Sequence, residues 1–492
     1  MGHSIFAALF IEIKTFHSYC FDLLGKIGTI EKSDEIIKEA VKRIKCGEVE
    51  AGKITKTVLV IDEAQDMDAD ESELVEALME YNEDMRVIAV GDDDQNIFEF
   101  RGSSSRYMVQ IAKENKAVMY ELVENYRSKS NIVDFSNQFV RRISHRLKET
   151  PIVAVQNDDG RIKVVKYSST HLITPLVNDI LSEGLAGTAC VLTRTNEEAL
   201  QITGLLVKNG MQAKLIQSND GFNLYNLFEI RFFLEQLNLA EVTYTIDEET
   251  WANAKKRMAD NFRESPNLEL CINIIKDFEL TNPKSKYKSD LEIFIRKSKL
   301  EDFYGGSTET VFVSTIHKAK GREFDNVFLM LDRYGIESDE VIRLLYVAMT
   351  RAKRNLTIHY NGYYLDSIIT TGFERVYDKS EYPPPEQLAV QLTHRDVWLD
   401  YFIKVRQWIS QLYYVELLTV DGDYCRNSKG QRVLRFSKQF IERIEDMKRN
   451  DYLPERATIR FIVYRQKEGS EQENRIVLPE LIFKRVTDNN AR

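Results

Sequence analysis

Short apolar runs alternate with amphipathic stretches along most of the chain, and the first, residues 57–61 (TVLVI), is β-branched and ends in acids. Such a run predicts a buried parallel strand with polar groups at its carboxyl end. Residues 86–90 (RVIAV) repeat the pattern before Gly91 and Asp92, and 72–81 reads as a helix between the two runs, giving one βαβ unit. A second α/β set follows, with strands expected at 162–167, 189–193 and 212–216 and helices at 172–182 and 197–209. Helical periodicity takes over from 224 to 306, as an insertion, before strands return at 310–314 and 327–331. Beyond the prolines at 383–385, aromatic-rich helices precede two strands, 457–464 and 475–483, which are expected to form a separate accessory unit.

Length agrees with several units: 492 residues exceed the ~250–300 at which single cores stop growing. Hydrophobic residues at 43% and charged residues at 29% are ordinary for a folded chain and exclude wholesale disorder. The five cysteines are scattered, without a CxxC pair or a His at zinc-ligand spacing, so neither a disulfide framework nor a structural metal is expected. No apolar run approaches the ~18 residues of a membrane span, and a cytoplasmic protein with no membrane partner is expected. The net charge of −10 argues mildly against a nucleic-acid binder, although an acidic surface can surround a basic groove.

The chemistry concentrates where strands end. Residues 62–66 (DEAQD) follow the first strand, and carboxylates at that mouth of an α/β sheet can hold Mg²⁺ through its waters and polarise an attacking water. Two acids opening a helix, favoured by its dipole, would look the same. After the next strand, residues 90–102 (VGDDDQNIFEFRG) join a phosphate-sensing Gln to aromatics at i and i+2, which can stack successive bases without reading sequence. Core burial of Phe98 and Phe100 is the competing reading.

In order along the chain, TFHS (15–18), DEAQD (62–66), VGDDDQNIFEFRGS (90–103), LVENYRS (122–128), TRTN (193–196), STIHKAKGREFD (314–325) and RLLYVAMTRA (343–352) resemble the motif series of the UvrD/Rep/PcrA branch of superfamily 1 DNA helicases. The resemblance implies an α/β fold of two RecA-like parallel-sheet lobes, the first incomplete, with a helical insertion in the second and a mixed C-terminal domain. The divisions expected are 1–118 for the partial first lobe, 119–223 and 308–380 for the second, 224–307 for the insertion and 381–492 for the accessory domain. It further implies ATP and Mg²⁺ as cofactors and 3′ to 5′ translocation on single-stranded or partly duplex DNA, in a DNA-repair setting. Asp62 would hold Mg²⁺, Glu63 would act as catalytic base, and Gln95, Arg127 and Arg351 would sense the γ-phosphate. Tyr126 would stack on adenine, and Gly321 and Glu323 would lie at the nucleotide, Glu323 meeting the ribose. Thr15, His17, Phe98, Phe100, Arg194, Thr315 and His317 would contact the DNA strand.

One departure matters. No GxxxxGK[ST] string occurs, so the backbone nest and Lys that cradle phosphates are not encoded. The chain is expected to begin part-way through the first lobe, with an upstream domain or a protein partner supplying that loop. Residues 5–14 are then expected to pack on the open lobe as a partial cover or strand, the alternative being a disordered leader. A non-catalytic DNA-binding or partner-docking module is the rival reading, whereas a nuclease subunit finds no carboxylate–Lys cluster in the tail.

Overall fold

The computed structural model describes residues 12–25, 33–99, 102–148, 150–216, 222–237, 245–283, 286–298, 303, 310–414, 416–466 and 473–486. In chain order it holds α1 (Phe16–Leu23), α2 (Ser33–Lys45), α3 (Ala51–Ile54), β1 (Val58–Ile61), α4 (Ala69–Tyr81), β2 (Arg86–Ala89), α5 (Ser105–Glu114), β3 (Glu124–Asn125), α6 (Ser130–Val140) and β4 (Val153–Ala154). There follow β5 (Arg161–Tyr167), α7 (Ile173–Ser182), β6 (Ala189–Thr193), α8 (Asn196–Lys208), β7 (Ala213–Leu215), α9 (Phe228–Leu237), β8 (Thr245–Ile246), α10 (Glu248–Asn261), α11 (Leu268–Thr281), β9 (Lys286–Tyr287) and α12 (Lys288–Lys297). Next come β10 (Val311–Thr315), β11 (Phe324–Leu331), α13 (Asp339–Met349), β12 (Ala352–Tyr360), β13 (Phe373–Asp378) and β14 (Gln387–Gln391). The chain closes with α14 (Leu399–Lys404), α15 (Arg406–Ile409), β15 (Leu417–Asp421), β16 (Tyr424–Arg426), β17 (Arg432–Arg435), α16 (Lys438–Arg449), β18 (Tyr452–Gln466) and β19 (Glu473–Arg485). Residues 1–158, 335–350 and 364–370 form one compact unit, and the remainder forms another.

In the first unit β1 and β2 pair in parallel, Val58 opposite Arg86 through Ile61 opposite Ala89. The connecting α4 starts on a capping box, Asp68 accepting from the Glu71 amide and Glu71 from the Asp68 amide. Ile61, Leu59 and Val87 pack against Ala64, Met67, Val75, Tyr107 and Ile111 on one face of the pair. The opposite face is left open: Val58, Val60, Ile88 and Val90 are 52%, 60%, 51% and 45% exposed. Parallel strands are ordinarily covered on both faces, so this sheet is incomplete among the described residues, as expected. A neighbouring cluster joins α1, α2 and α4 through Cys20, Ile37, Val41, Leu74 and Leu78.

The cover expected from residues 5–14 is not seen where it can be checked. Ile13 is 93% exposed and residues 12–14 form no strand, while residues 5–11 lie outside the described residues. Polar groups hold this stretch instead, Lys14 pairing with Asp22 at 3.1 Å and Glu12 with Lys56 at 3.2 Å.

The second unit contains a seven-stranded sheet, ordered β13-β5-β12-β11-β6-β10-β7, with every pairing parallel. Its central strands ACVLT and VFVST are buried along their whole length, the continuous apolar reading of strands covered on both faces. Leu176, Val177 and Ile180 of α7 and Ala199, Ile202 and Leu206 of α8 pack on Val165, Val191, Val313 and Phe328.

The inserted helices and the tail were expected as separate units, and here the packing differs. A six-stranded antiparallel sheet, β14-β19-β18-β15-β16-β17, shares one core with α9 to α12. Phe233, Trp251 and Phe278 from the helices are buried in the same cluster as Phe402, Phe436, Phe440 and Phe483 from the tail. Leu227 bridges to Val463, and the Asn267 side-chain amide donates to the Arg460 carbonyl at 2.9 Å. The physical reason is area: four short helices and one sheet each present an apolar face, and burying the two against each other satisfies both.

Candidate functional site

In the first unit the predicted catalytic acids stand at the carboxyl end of β1 and Gln95 follows the carboxyl end of β2, the side of a parallel sheet where ligands bind. Asp62 and Glu63 are exposed, Asp62 accepting from the Glu63 amide at 3.0 Å. Glu63 adopts a left-handed backbone at φ 52°, a strained setting for a non-glycine residue of the kind found at functional sites.

Gln65 fixes this turn, and its role was not anticipated from the sequence. Its side chain is fully buried; Nε2 donates to Glu63 Oε2 at 2.6 Å and Oε1 accepts from the Asp92 amide at 2.9 Å. Asn96 adds a bond from its side-chain amide to the Gln65 carbonyl at 3.0 Å. Gly91 is required beside it, since a Cβ there would lie 2.6 Å from Gln65 Oε1. The motif after β1 and the motif after β2 are thereby knitted into one polar constellation, with Gln95 Nε2 donating to Asp92 at 2.8 Å.

The three consecutive aspartates are engaged within the unit. Arg146 binds Asp94 with two bonds of 2.8 and 2.6 Å, Lys148 reaches Asp92 at 2.5 Å, and the Leu147 amide donates to Asp93 at 2.7 Å. Burial pushes the Asp93 carboxyl above the usual range. A DDD run followed later by RLK was the available signal for this clamp. The exposed oxygen donors of Asp62 suit a hard, water-retaining cation such as Mg²⁺ better than these neutralised acids do.

Phe98 is half-buried, and Phe100 lies outside the described residues. Thr15 caps α1, accepting from the Ser18 amide at 3.2 Å, and His17 is half-buried in the first turn. Tyr126 is 68% exposed with its hydroxyl donating to Glu124 at 2.5 Å, and that bond is the main cause that raises its phenol. Arg127 donates to the Thr350 carbonyl at 3.3 Å, which ties its motif to the end of α13.

In the second unit the remaining predicted residues fall into two groups at opposite ends of the sheet. Thr193 pairs with Thr315 where β6 and β10 end, so Arg194 and His317 follow adjacent strands at their carboxyl ends. Lys318, not singled out from the sequence, links the two loops by donating to the Asn196 side chain at 2.8 Å. Arg194 is exposed and its guanidinium lies 5.3 Å from the Tyr334 ring, while Thr315 is buried. Gly321, Glu323 and Arg351 lie instead at the amino ends of β11 and β12, where the Phe324 amide donates to the Arg351 carbonyl at 2.9 Å. Strand β6 has five residues, so the two ends of the sheet lie about 16 Å apart here at ~3.3 Å per residue, and residues 316–323 run between them. Gly321 takes φ 80°, Glu323 pairs with Lys353 at 3.3 Å, and Arg351 is 2% exposed with Nη1 donating to the Arg322 carbonyl at 3.4 Å.

Acids and glutamines at one set of parallel-strand ends and an Arg–His pair at another define an α/β class of protein built on parallel sheets. The family comparison makes this specific. The UvrD/REP helicase N-terminal domain matches residues 49–116, and the UvrD-like helicase C-terminal domain matches residues 120–241 and 223–363. The chain belongs to the UvrD-like superfamily 1 helicases. It is 24% identical to the Gabija protein GajB of Bacillus cereus (strain VD045) over 61% of this chain and 63% of that protein. It is 21% identical to the ATP-dependent DNA helicase UvrD2 of Mycobacterium tuberculosis (strain ATCC 25618 / H37Rv), over 68% of this chain and 50% of that one. Identity to the ATP-dependent DNA helicase PcrA of Bacillus subtilis (strain 168) is 28%, over 36% of this chain and 24% of that protein. The chain thus spans 63% and 50% of the lengths of the first two relatives.

Proposed function

We propose that this chain is the DNA-gripping and water-activating part of an ATP-driven, 3′ to 5′ translocase and helicase, acting on single-stranded DNA in the cytoplasm. The observation that carries the reading is Gln65, whose buried amide joins Glu63 to the Asp92 backbone and so holds two strand-end motifs in one arrangement. Two of the relatives are named as ATP-dependent DNA helicases, which supports the same activity here.

The roles divide by chemistry. Asp62 would hold Mg²⁺, which neutralises phosphate charge when bound, and Glu63 would accept a proton from the attacking water. Gln65 would keep Glu63 in position, and Gln95, Arg127 and Arg351 would report on the phosphate end. Tyr126, exposed as an adenine platform would need to be, and Glu323 beside Gly321 would hold the rest of the nucleotide. Thr15, His17, Phe98, Phe100, Arg194, Thr315 and His317 would hold the strand through phosphate contacts and stacking. The residues present fit the metal and the base. They do not fit the β and γ phosphates, because the sequence encodes no GxxxxGK[ST] nest.

An ATPase assay of the full chain, with and without single-stranded DNA, tests this reading. Background turnover that Glu63→Gln leaves unchanged is expected. Robust, DNA-stimulated turnover abolished by Glu63→Gln would show that the chain cradles phosphate by other means.

A further inference from the structure

The tail carries a second cluster of nucleic-acid chemistry, on the outward face of the hairpin that ends its sheet. Strands β16 and β17 pair so that Cys425 meets Leu434, both buried, and this register turns Tyr424, Arg426, Arg432 and Arg435 to the opposite side. Tyr424 is then the cross-strand neighbour of Arg435, and Arg426 of Arg432. Helix α14 completes the face. The Trp398 backbone amide donates to the Arg435 carbonyl at 2.8 Å and the Tyr401 hydroxyl to the Arg432 carbonyl at 3.3 Å, so both residues are held against β17.

Rings and cations interleave across this face. The Lys404 ammonium lies 5.3 Å from the Trp398 ring, and the Arg435 guanidinium lies 4.5 Å from Trp398 and 5.5 Å from Tyr424. Arg432 is 4.3 Å from the Tyr424 ring. Tyr401 lies 6.4 Å from Trp398 at an interplanar angle of 28°, and 5.7 Å from Tyr424. Trp398 is 39% exposed, a large apolar surface to leave in water. Asp421 is the carboxylate that pairs with these arginines, at 2.7 Å from Arg426 and 3.9 Å from Arg432, and Asp400 and Asp423 flank the rings in sequence. A concentration of Lys and Arg around one exposed and two half-buried rings runs against a chain whose net charge is −10.

We propose that this face is a second binding surface for single-stranded DNA, separate from the motor motifs. A base would slide onto Trp398 by displacing the Lys404 ammonium or the Arg435 guanidinium, and the displaced cation would then meet the adjoining phosphate. Stacking of this kind tolerates any base, because every base offers a π-face, and Arg serves both as stacking partner and as phosphate donor. The occupant is a polyanion with planar groups, which a single strand supplies and a duplex, with its bases already stacked, does not.

The test is fluorescence anisotropy of the full chain with labelled oligothymidine of about 30 nucleotides, long enough for more than one contact region. Trp398→Ala should weaken binding about tenfold, the loss of one stacked base, whereas Trp398→Phe should stay within about threefold of wild type. Arg432→Gln with Arg435→Gln should lower the slope of log affinity against log salt by about 1.4, at ~0.7 per lost phosphate contact. This pair keeps the test decisive should Trp398→Ala melt at a lower temperature. Phe98→Ala, in the motor, runs in parallel to separate failure here from failure of the motor reading. Wild-type affinity and salt slope in the hairpin variants would overturn the proposal, whatever Phe98→Ala does. Equal losses on duplex and single strands would overturn it too, since stacking would then not be the source.

Discussion

The packing of Gly91 against Gln65 can be tested quantitatively. Gly91→Ala places a methyl carbon 2.6 Å from Gln65 Oε1, and 3.0 Å from both the Gln65 amide nitrogen and Met108 Sδ. The amide side chain cannot yield cheaply, because it is fully buried and holds Glu63 at 2.6 Å and the Asp92 amide at 2.9 Å. Moving it breaks both bonds and strands a buried donor, a loss of about 2–4 kcal/mol when one bond involves a charged partner. Gln65→Ala removes the same bonds directly and should cost a similar amount. In the double variant the oxygen that clashes is gone, so Gly91→Ala should then cost only about 1 kcal/mol for its remaining contacts, a coupling of roughly 1–3 kcal/mol. Amide exchange read by mass spectrometry over residues 58–66 and 86–96 reports this locally, without requiring two-state unfolding of a chain with two units. Costs that add to within about 0.5 kcal/mol would refute the idea that Gly91 exists to admit Gln65.

Burial, followed by the neighbouring Asp68, pushes the Glu71 carboxyl up to about 7, above its ordinary 4.5. Because the folded value is the higher one, its stabilising contribution is complete below about 4.5 and disappears as pH rises through about 7. The first unit should therefore lose about 1–2 kcal/mol between about pH 5 and pH 8, a figure reduced for partial exposure, and Glu71→Gln should abolish that part in melts at the two pH values. An unchanged pH dependence in the variant would contradict this. Arg146→Ala strips the bidentate partner from Asp94, whose side chain is 1% exposed, leaving Lys148 at 3.8 Å. The first unit should lose about 3 kcal/mol in urea unfolding and regain part of it with Asp94→Asn, whereas a loss under about 1 kcal/mol would show that Lys148 suffices.

What the sequence revealed tracks how local each determinant is. ACVLT and VFVST are buried strands because apolar runs of that length have few other stable fates, whereas VLVI forms its strand with only Ile61 buried; the observed bounds differ from expectation mainly at the ends. The motor motifs were legible because each is a contiguous string following a strand. Features set by tertiary pairing were not. Nothing in residues 222–303 announces that Trp251 and Phe278 share a core with Phe440 and Phe483. Gln65 reads as one polar residue among several until β1 and β2 pair. Likewise Trp398, Tyr424 and Arg435 become neighbours only through the register of β16 and β17.

We propose that the chain grips a single strand without nucleotide, using the residues that follow β6 and β10, whose ends lie side by side. Fluorescence anisotropy of the nucleotide-free chain with oligothymidine, across a salt series, tests it through Arg194→Ala and His317→Ala. Arg194→Ala should weaken binding about fivefold to tenfold and lower the log affinity against log salt slope by about 0.7, the signature of one lost phosphate contact. His317→Ala should weaken binding as well. Affinity and salt slope identical to wild type in both variants would contradict the account.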